Sequence, residues 1–236
     1  LRDESELNYL NQVNTDVHVT VDDVLLYDTD YSECCDPTLA ELSRYPHINL
    51  CVQNWIGVSE TEYRNLALSI ASFLEHRLSE EPELRLYILE MMPQDDDEKM
   101  GRRVAEFINK EYQSQIFAIR LPDYYPLDAV HLIQSAKLNI GTRYHLALFS
   151  LCELKRHPVT ISLILDEYYR RKIERIHELY SSQSYLSVQE CTSEKLEELY
   201  LRGTTLISDA KIEYIQRAKD EKIRLYKGIL EGTSKK

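Results

Sequence analysis

The sequence predicts an α/β domain built on an open parallel β-sheet with helices on both faces. Short aliphatic or β-branched runs alternate with longer segments of helical periodicity along most of the chain. The intervals between successive runs are long enough for βαβ crossovers, which parallel strands require and hairpins do not. At 236 residues and 43% hydrophobic content, the chain also has enough apolar surface to close a full core.

Taken in order, residues 17–21 and 24–27 are extended candidates around Asp22 and Asp23, and 28–37 reads as a polar linker or loop. Residues 48–53 form the first clear strand. Ser59 and Glu62 stand at capping-box spacing before a helix to about Leu78, whose Leu66, Ile70, Phe73, Leu74 and Leu78 share one face. A strand at 84–91 leads through Pro93 to Asp95, Asp96 and Asp97, acids that suit the positive start of a helix running to about Tyr112. Strands at 116–120, 138–140, 159–163 and 185–188 then alternate with helices at 126–135, 143–154 and 167–180. The chain closes with amphipathic helices at 193–201 and 205–230. In sheets of this kind ligands sit at the carboxyl ends of the strands, so the chemistry is sought there.

Composition narrows the function classes. With 28 basic against 40 acidic side chains the net charge is −12, which opposes binding to a phosphate backbone. The densest basic cluster, Arg170, Arg171, Lys172 and Arg175, is short and interleaved with acids. The five cysteines include no CxxC pair and read as reduced thiols in a reducing compartment. No apolar run approaches the roughly 20 residues that span a bilayer, and no signal peptide is evident. The reading is a soluble, cytoplasmic chain that opens at Leu1 without an initiator Met.

The segment 136–151 carries the most chemistry. A buried strand ends at Ile140, Gly141 and Thr142 permit a tight turn, and Arg143 and His145 stand at the start of an otherwise apolar helix. A guanidinium and an imidazole beside free backbone N–H groups make an anion site. The helix dipole disfavours added positive charge, so His145 leans toward neutrality without an anion. The same spacing also fits an Arg143 that caps a neighbouring carbonyl and a His145 that is merely packed.

This segment resembles the strand–turn–helix signature of the polysaccharide pyruvyl transferase family, where a short apolar strand leads to Arg-x-His and an aliphatic helix. Downstream, His157 and Pro158 with residues 159–162 resemble the family's proline-led strand, and residues 166–172 resemble its acidic-tyrosine-lysine loop. Upstream, Arg2, Asp3 and Ser5 resemble its Arg-Asp-x-x-Ser element, and residues 19–22 the strand ending in Asp that follows.

The resemblance implies the Rossmann-like C-terminal half of a GT-B-type two-domain fold, with the active site in the cleft and the N-terminal half outside this sequence. Residues 1–36 would be an inter-domain segment and linker, 37–190 the Rossmann-like domain and 191–236 a helical extension. The implied reaction moves a pyruvyl group from phosphoenolpyruvate to paired hydroxyls of a sugar, on a cell-surface glycan or its precursor. Phosphoenolpyruvate is then a donor substrate, and neither a cofactor nor a metal is implied. A donor carrying a phosphate and a carboxylate calls for arginine forks. Its departing phosphate needs an acid or electrostatic partner, and its methylene carbon a proton source. By analogy Arg143 grips the donor anion, His145 is the acid–base or anion-stabilising group, and Arg2 is a second anion contact. Thr142 joins the substrate-binding set. Lys172, near Tyr168 and Tyr169, binds a diphosphate on the acceptor or closes the donor pocket; a solvated helix face explains Lys172 equally, and lid or core packing the tyrosines. A lipid-linked acceptor would bring the protein to the inner face of the membrane, and the last helix is a candidate for self-association.

Three departures matter. The first is the half-length. The second is the end of the 48–53 strand, where the family commonly delivers an arginine and this chain has Gln53 and Asn54, which hydrogen-bond a sugar or phosphate without charge. The third is a bulky, charged turn at 153–157. They leave two alternatives open: a catalytically degenerate member that binds a glycan or partner protein, and a glycosyltransferase using a nucleotide sugar. Neither GxGxxG nor a P-loop is present to support a nucleotide. His131 and His177 read as surface or half-buried histidines, and Asp95–Asp97 as a helix start rather than a metal site.

Overall fold

The computed structural model describes residues 34–54, 58–152, 157–203 and 208–233. By contacts the chain divides into two units, Tyr31–Leu206 and a second that joins Leu1–Asp30 to Ile207–Lys236. Arg2 and the extended candidates at 17–21 and 24–27 lie outside the described residues.

The first unit alternates strand and helix as the sequence requires. Its elements are α1 (Pro37–Leu42), β1 (His47–Cys51), α2 (Glu60–Glu80), β2 (Arg85–Glu90), α3 (Asp97–Phe107), β3 (Ile116–Arg120), α4 (Pro126–Gln134), β4 (Leu138–Gly141), α5 (Tyr144–Leu151), β5 (Val159–Ile164), α6 (Glu167–Leu179), β6 (Tyr185–Ser187) and α7 (Ser193–Arg202). The six strands form one sheet in the order β3-β2-β1-β4-β5-β6, and every pairing is parallel.

Alternation along the strands divides the core. Ile48 and Leu50 of β1, Leu86 of β2 and Leu138 and Ile140 of β4 face a cluster completed by α2, α3 and α7. Cys51, Tyr87 and Leu89 face the opposite cluster, completed by Leu39 of α1, residues of α4 and Leu146 of α5. Both faces are therefore covered, which is why the central strands β1 and β4 are buried along their length, while the edge strands β3 and β6 are partly exposed. Gly101 lets α3 close onto β2, since a Cβ there would sit 2.2 Å from the Ile88 side chain.

Local chemistry sets the helix limits. The Ser59–Glu62 capping box forms as the spacing predicts. At the far end of α2, Arg77 is buried between Glu80 (2.8 Å) and Glu197 of α7 (3.2 Å) and tethers the two helices. The helix expected to run to Tyr112 stops at Phe107, because Ile108 turns extended and Asn109 caps a 3-10 turn at Lys110–Gln115. Helix α1 begins within the segment read as loop: Asp36 accepts from the Thr38 and Leu39 amides, and Pro37 sets the first turn.

Of the second unit, α8 (Asp209–Thr233) is described; its Ile215 is buried and its Tyr214 and Tyr226 are exposed.

Candidate functional site

The sheet reverses its winding between β1 and β4. From β1 the chain leaves toward the α2 face, and from β4 toward the α5 face, and in open α/β sheets such a reversal is where ligands sit. The loops that leave these strands are bonded together. Thr142 N donates to Cys51 O (3.0 Å), and Gln53 N donates to Thr142 Oγ1 (3.0 Å). A side chain at 141 could not be accommodated, because a Cβ would lie 2.3 Å from Cys51 O. Thr142 is fully buried and braces the turn through these bonds rather than facing solvent.

Arg143 follows immediately, as the residue capping α5 rather than its first turn. Its guanidinium spans the end of β1 to reach Asp97, the first residue of α3, with Nε at 3.1 Å and Nη2 at 2.5 Å from the same Oδ1. Asp97 is wholly buried, and the Arg143 side chain retains 12% of its surface. The other carboxylate oxygen accepts from the amides of Met91 (3.2 Å) and Met92 (3.0 Å) and lies 3.9 Å from Cys51 Sγ. Burial, and secondarily the Asp97 carboxylate, pushes the Cys51 thiol well above its ordinary value, so it stays a donor. Asp97 thus stands in the first turn of its helix, as the acidic run suggested, but its side chain is turned inward. It is the internal counterion that fixes Arg143 against the positive start of α5.

His145 is exposed on the first turn of α5, beside Tyr144 (5.3 Å between rings) and Phe149 (5.9 Å). Gln53 is buried at the end of β1, with Asn54 half-buried beyond it. Tyr168, Tyr169 and Lys172 stand on α6, after β5. Lys172 bonds the Tyr168 hydroxyl and lies 4.2 Å from its ring centre, while Asp166 caps the helix by accepting from Tyr169 N. Arg143, Thr142 and Gln53 are brought together; Lys172 and its tyrosines are carried on α6, which follows the next strand.

Sequence reasoning missed Asp97 and Cys51. The signal for Asp97 was an aspartate triplet after a strand, but nothing in the sequence says which of the three turns inward. It also misplaced His177, which is fully buried, with Nε2 at 2.7 Å from Ser162 Oγ and Nδ1 at 2.9 Å from Ser182 Oγ. Both ring nitrogens meet hydroxyls, which donate or accept as needed.

The family model for polysaccharide pyruvyl transferase matches residues 1–153, a span that ends two residues after α5 and includes the whole Asp97–Arg143 bridge. The chain belongs to the polysaccharide pyruvyl transferase family. Among curated proteins none matches by sequence. Among solved structures, the chain is similar to a Listeria monocytogenes protein described as a UDP-N-acetylglucosamine 2-epimerase, at 10% identity and a TM-score of 0.52, covering 98% of this chain and 58% of that one. It also matches trehalose-6-phosphate synthase OtsA (12% identity, TM-score 0.39, 84% of this chain and 48% of that one). The first likeness shows a shared fold of the GT-B kind. This pyruvyl transferase family chain spans 58% of the length of that structure. No helix among its described residues is long and apolar enough to cross a membrane.

Proposed function

We propose that this chain is the donor-binding, C-terminal half of a pyruvyl transferase that joins pyruvate as a ketal to a sugar, with phosphoenolpyruvate as donor. One observation supports the reading: Arg143, a family-motif residue at the reversal point of the sheet, is held by a wholly buried counterion while 12% of its side chain stays exposed. A guanidinium fixed in this way pays little ordering entropy when it receives a phosphate or carboxylate.

The chemistry asks three things of the protein. The donor's methylene carbon takes a proton, the adjacent carbon accepts an acceptor hydroxyl, and phosphate departs; a second hydroxyl then closes the ketal. Arg143 orients the donor and offsets negative charge on the departing phosphate. His145, exposed two positions on, holds or moves the proton. Lys172, braced by Tyr168, serves a phosphate group of the acceptor. The acceptor is a glycan or a lipid-linked precursor, and the reaction runs in the cytoplasm.

Phosphate release from phosphoenolpyruvate with a panel of acceptor glycans tests this in the complete enzyme. His145→Ala is expected to reduce turnover by roughly a hundredfold or more, the size of one general acid–base contribution. Turnover equal to wild type removes His145 from the mechanism.

A second reading is supported by Gln53 and Asn54, which stand uncharged where the family commonly places an arginine. On that reading the chain is a catalytically degenerate binder. Such a member would bind a glycan or a partner protein instead, and the absence of saturable heat on titration with phosphoenolpyruvate would favour it.

A further inference from the structure

Among the described residues, two that are not glycine hold a positive φ: Asp96 (54°) and Ser181 (59°). Ser181 lies in the connection from α6 back to the amino end of β6. Asp96 stands between the exit of β2 and the first residue of α3, immediately before the buried counterion of Arg143.

The chain reaches α3 through a short 3-10 turn, Pro93–Asp95, and Asp96 both closes that turn and opens the helix. Its N donates to Pro93 O (3.3 Å), and its O accepts from Lys99 N (3.2 Å). An ordinary residue in this place is extended and caps the helix with its side chain. Asp96 does neither: φ 54° and ψ 44° put it in the left-handed region, and no side-chain cap forms. Its carboxylate is 55% exposed and lies 3.8 Å from Lys99, an exposed pair that contributes little. A left-handed backbone costs stability in any residue with a Cβ, least in aspartate and asparagine, and such strain gathers where it shapes a site.

The effect of the turn falls one residue on. Because the chain reverses at Asp96, the Asp97 side chain points back at the strand it has just left. There its Oδ2 accepts from the amides of Met92 (3.0 Å) and Met91 (3.2 Å), and its Oδ1 receives Arg143. An extended residue at 96 would redirect the start of α3 and swing that carboxylate away from the exit of β4.

We propose that Asp96 is a positioning residue of the anion site: its left-handed backbone, and not its charge, turns Asp97 inward to hold Arg143. The proposal rests on the reading of Arg143 as the donor contact, and adds a residue that shapes the site without touching the donor. Identity at 96 then matters through conformation, which glycine and asparagine adopt readily and valine does not.

Two measurements on the full chain test it. One is the heteronuclear NMR signal of the Arg143 Nε–H, which its bond to Asp97 protects from exchange with water. The other is calorimetric titration with phosphoenolpyruvate. Asp96→Asn and Asp96→Gly should keep the protected signal and bind within about twofold of wild type. Asp96→Val should lose the signal and weaken phosphoenolpyruvate roughly tenfold, the scale of one strained residue passed on to the site. Asp96→Ala, a milder strain, should fall between them and replaces the valine variant if circular dichroism shows that one unfolded. Ser181→Val imposes a comparable strain away from the site; it should lower the melting temperature and leave both readouts as in the wild type. A folded Asp96→Val with wild-type signal and affinity, or an Asp96→Asn that loses both, would overturn the proposal. The signal reports the bridge whether or not the donor binds. A protected wild-type signal without heat of binding defeats the transferase reading alone. A signal indifferent to Asp96→Val, with phosphoenolpyruvate still bound, defeats this inference alone.

Discussion

Two buried polar groupings share this sheet and are satisfied in opposite ways. Across its middle, Asn49, Asn139 and Thr160 occupy one register row of β1, β4 and β5. Asn139 accepts from Asn49 (2.9 Å) and donates to Ile133 O and Ser150 Oγ (both 2.9 Å), and Ser150 shares a 2.5 Å contact with Thr160. That row is neutral, internal and tied to the helices above it. At the carboxyl edge, Asp97 and Arg143 form a charged pair whose cation keeps 12% of its side chain exposed. The difference teaches which buried polar groups are scaffold and which are equipment. The neutral network, in which only Asn49 Oδ1 is left without a partner among these side chains, fixes how α4 and α5 seat on the sheet, whereas a pair that ends on a partly exposed cation prepares a surface for an anion.

Substitutions can pull the two apart. The largest effect is expected at Asp97→Ala, which leaves a guanidinium without its counterion and two backbone amides without an acceptor. Denaturant unfolding should show a loss of about 3–5 kcal/mol; a loss below about 1 kcal/mol would mean the bridge is incidental. Asn139→Ala should cost about 1–3 kcal/mol by the same measurement, since Ser150 and the Ile133 carbonyl each lose a donor and Asn49 is left with only the longer bond to Leu132 O (3.3 Å). Calorimetry should find phosphoenolpyruvate affinity unchanged in this variant, and a large drop would blur the distinction between scaffold and site.

A third buried polar group, His177, lies outside both groupings and responds to pH. Burial pushes His177 down to about 3 from an ordinary 6.5, so it is neutral in the fold while the unfolded chain takes a proton below about 6.5. Its stabilisation is complete above pH 6.5 and is lost as pH falls toward 3, by up to about 1.4 kcal/mol per pH unit. Unfolding measured across that window should show this slope in the wild type and a flatter one in His177→Asn. Equal slopes would mean that His177 is not held neutral. The smallest shift belongs to Gln53→Leu, which replaces an amide whose buried oxygen lacks a partner among the described residues and should leave stability unchanged or raise it by about 1 kcal/mol. A clear loss in thermal unfolding would show that the amide serves the fold.

Much of this architecture was legible before any coordinates. Strand 116–120, the capping box at Ser59 and Glu62, and the helix following Asp166 can be read directly because period, cap and turn signals are local. The limits of the site were less legible, because its decisive contacts are long-range. Arg143 and Asp97 are 46 residues apart in sequence, and only the parallel crossover brings the start of α3 to the exit of β4. The same applies to His177, whose burial comes from Ser162 on the neighbouring strand. The short helix at Pro37 was missed although Asp36-Pro37 is a sound start signal, because the surrounding polar stretch read as loop.

The most direct test of the central claim compares phosphoenolpyruvate binding by calorimetry in the wild-type chain and in Arg143→Gln/Asp97→Asn. The double variant removes both charges together and keeps a hydrogen-bonded neutral pair in the buried position, so the fold should survive. The account predicts saturable heat in the wild type and none in the double variant, at closely similar melting temperatures. Equal heat in both, or none in the wild type, would contradict it.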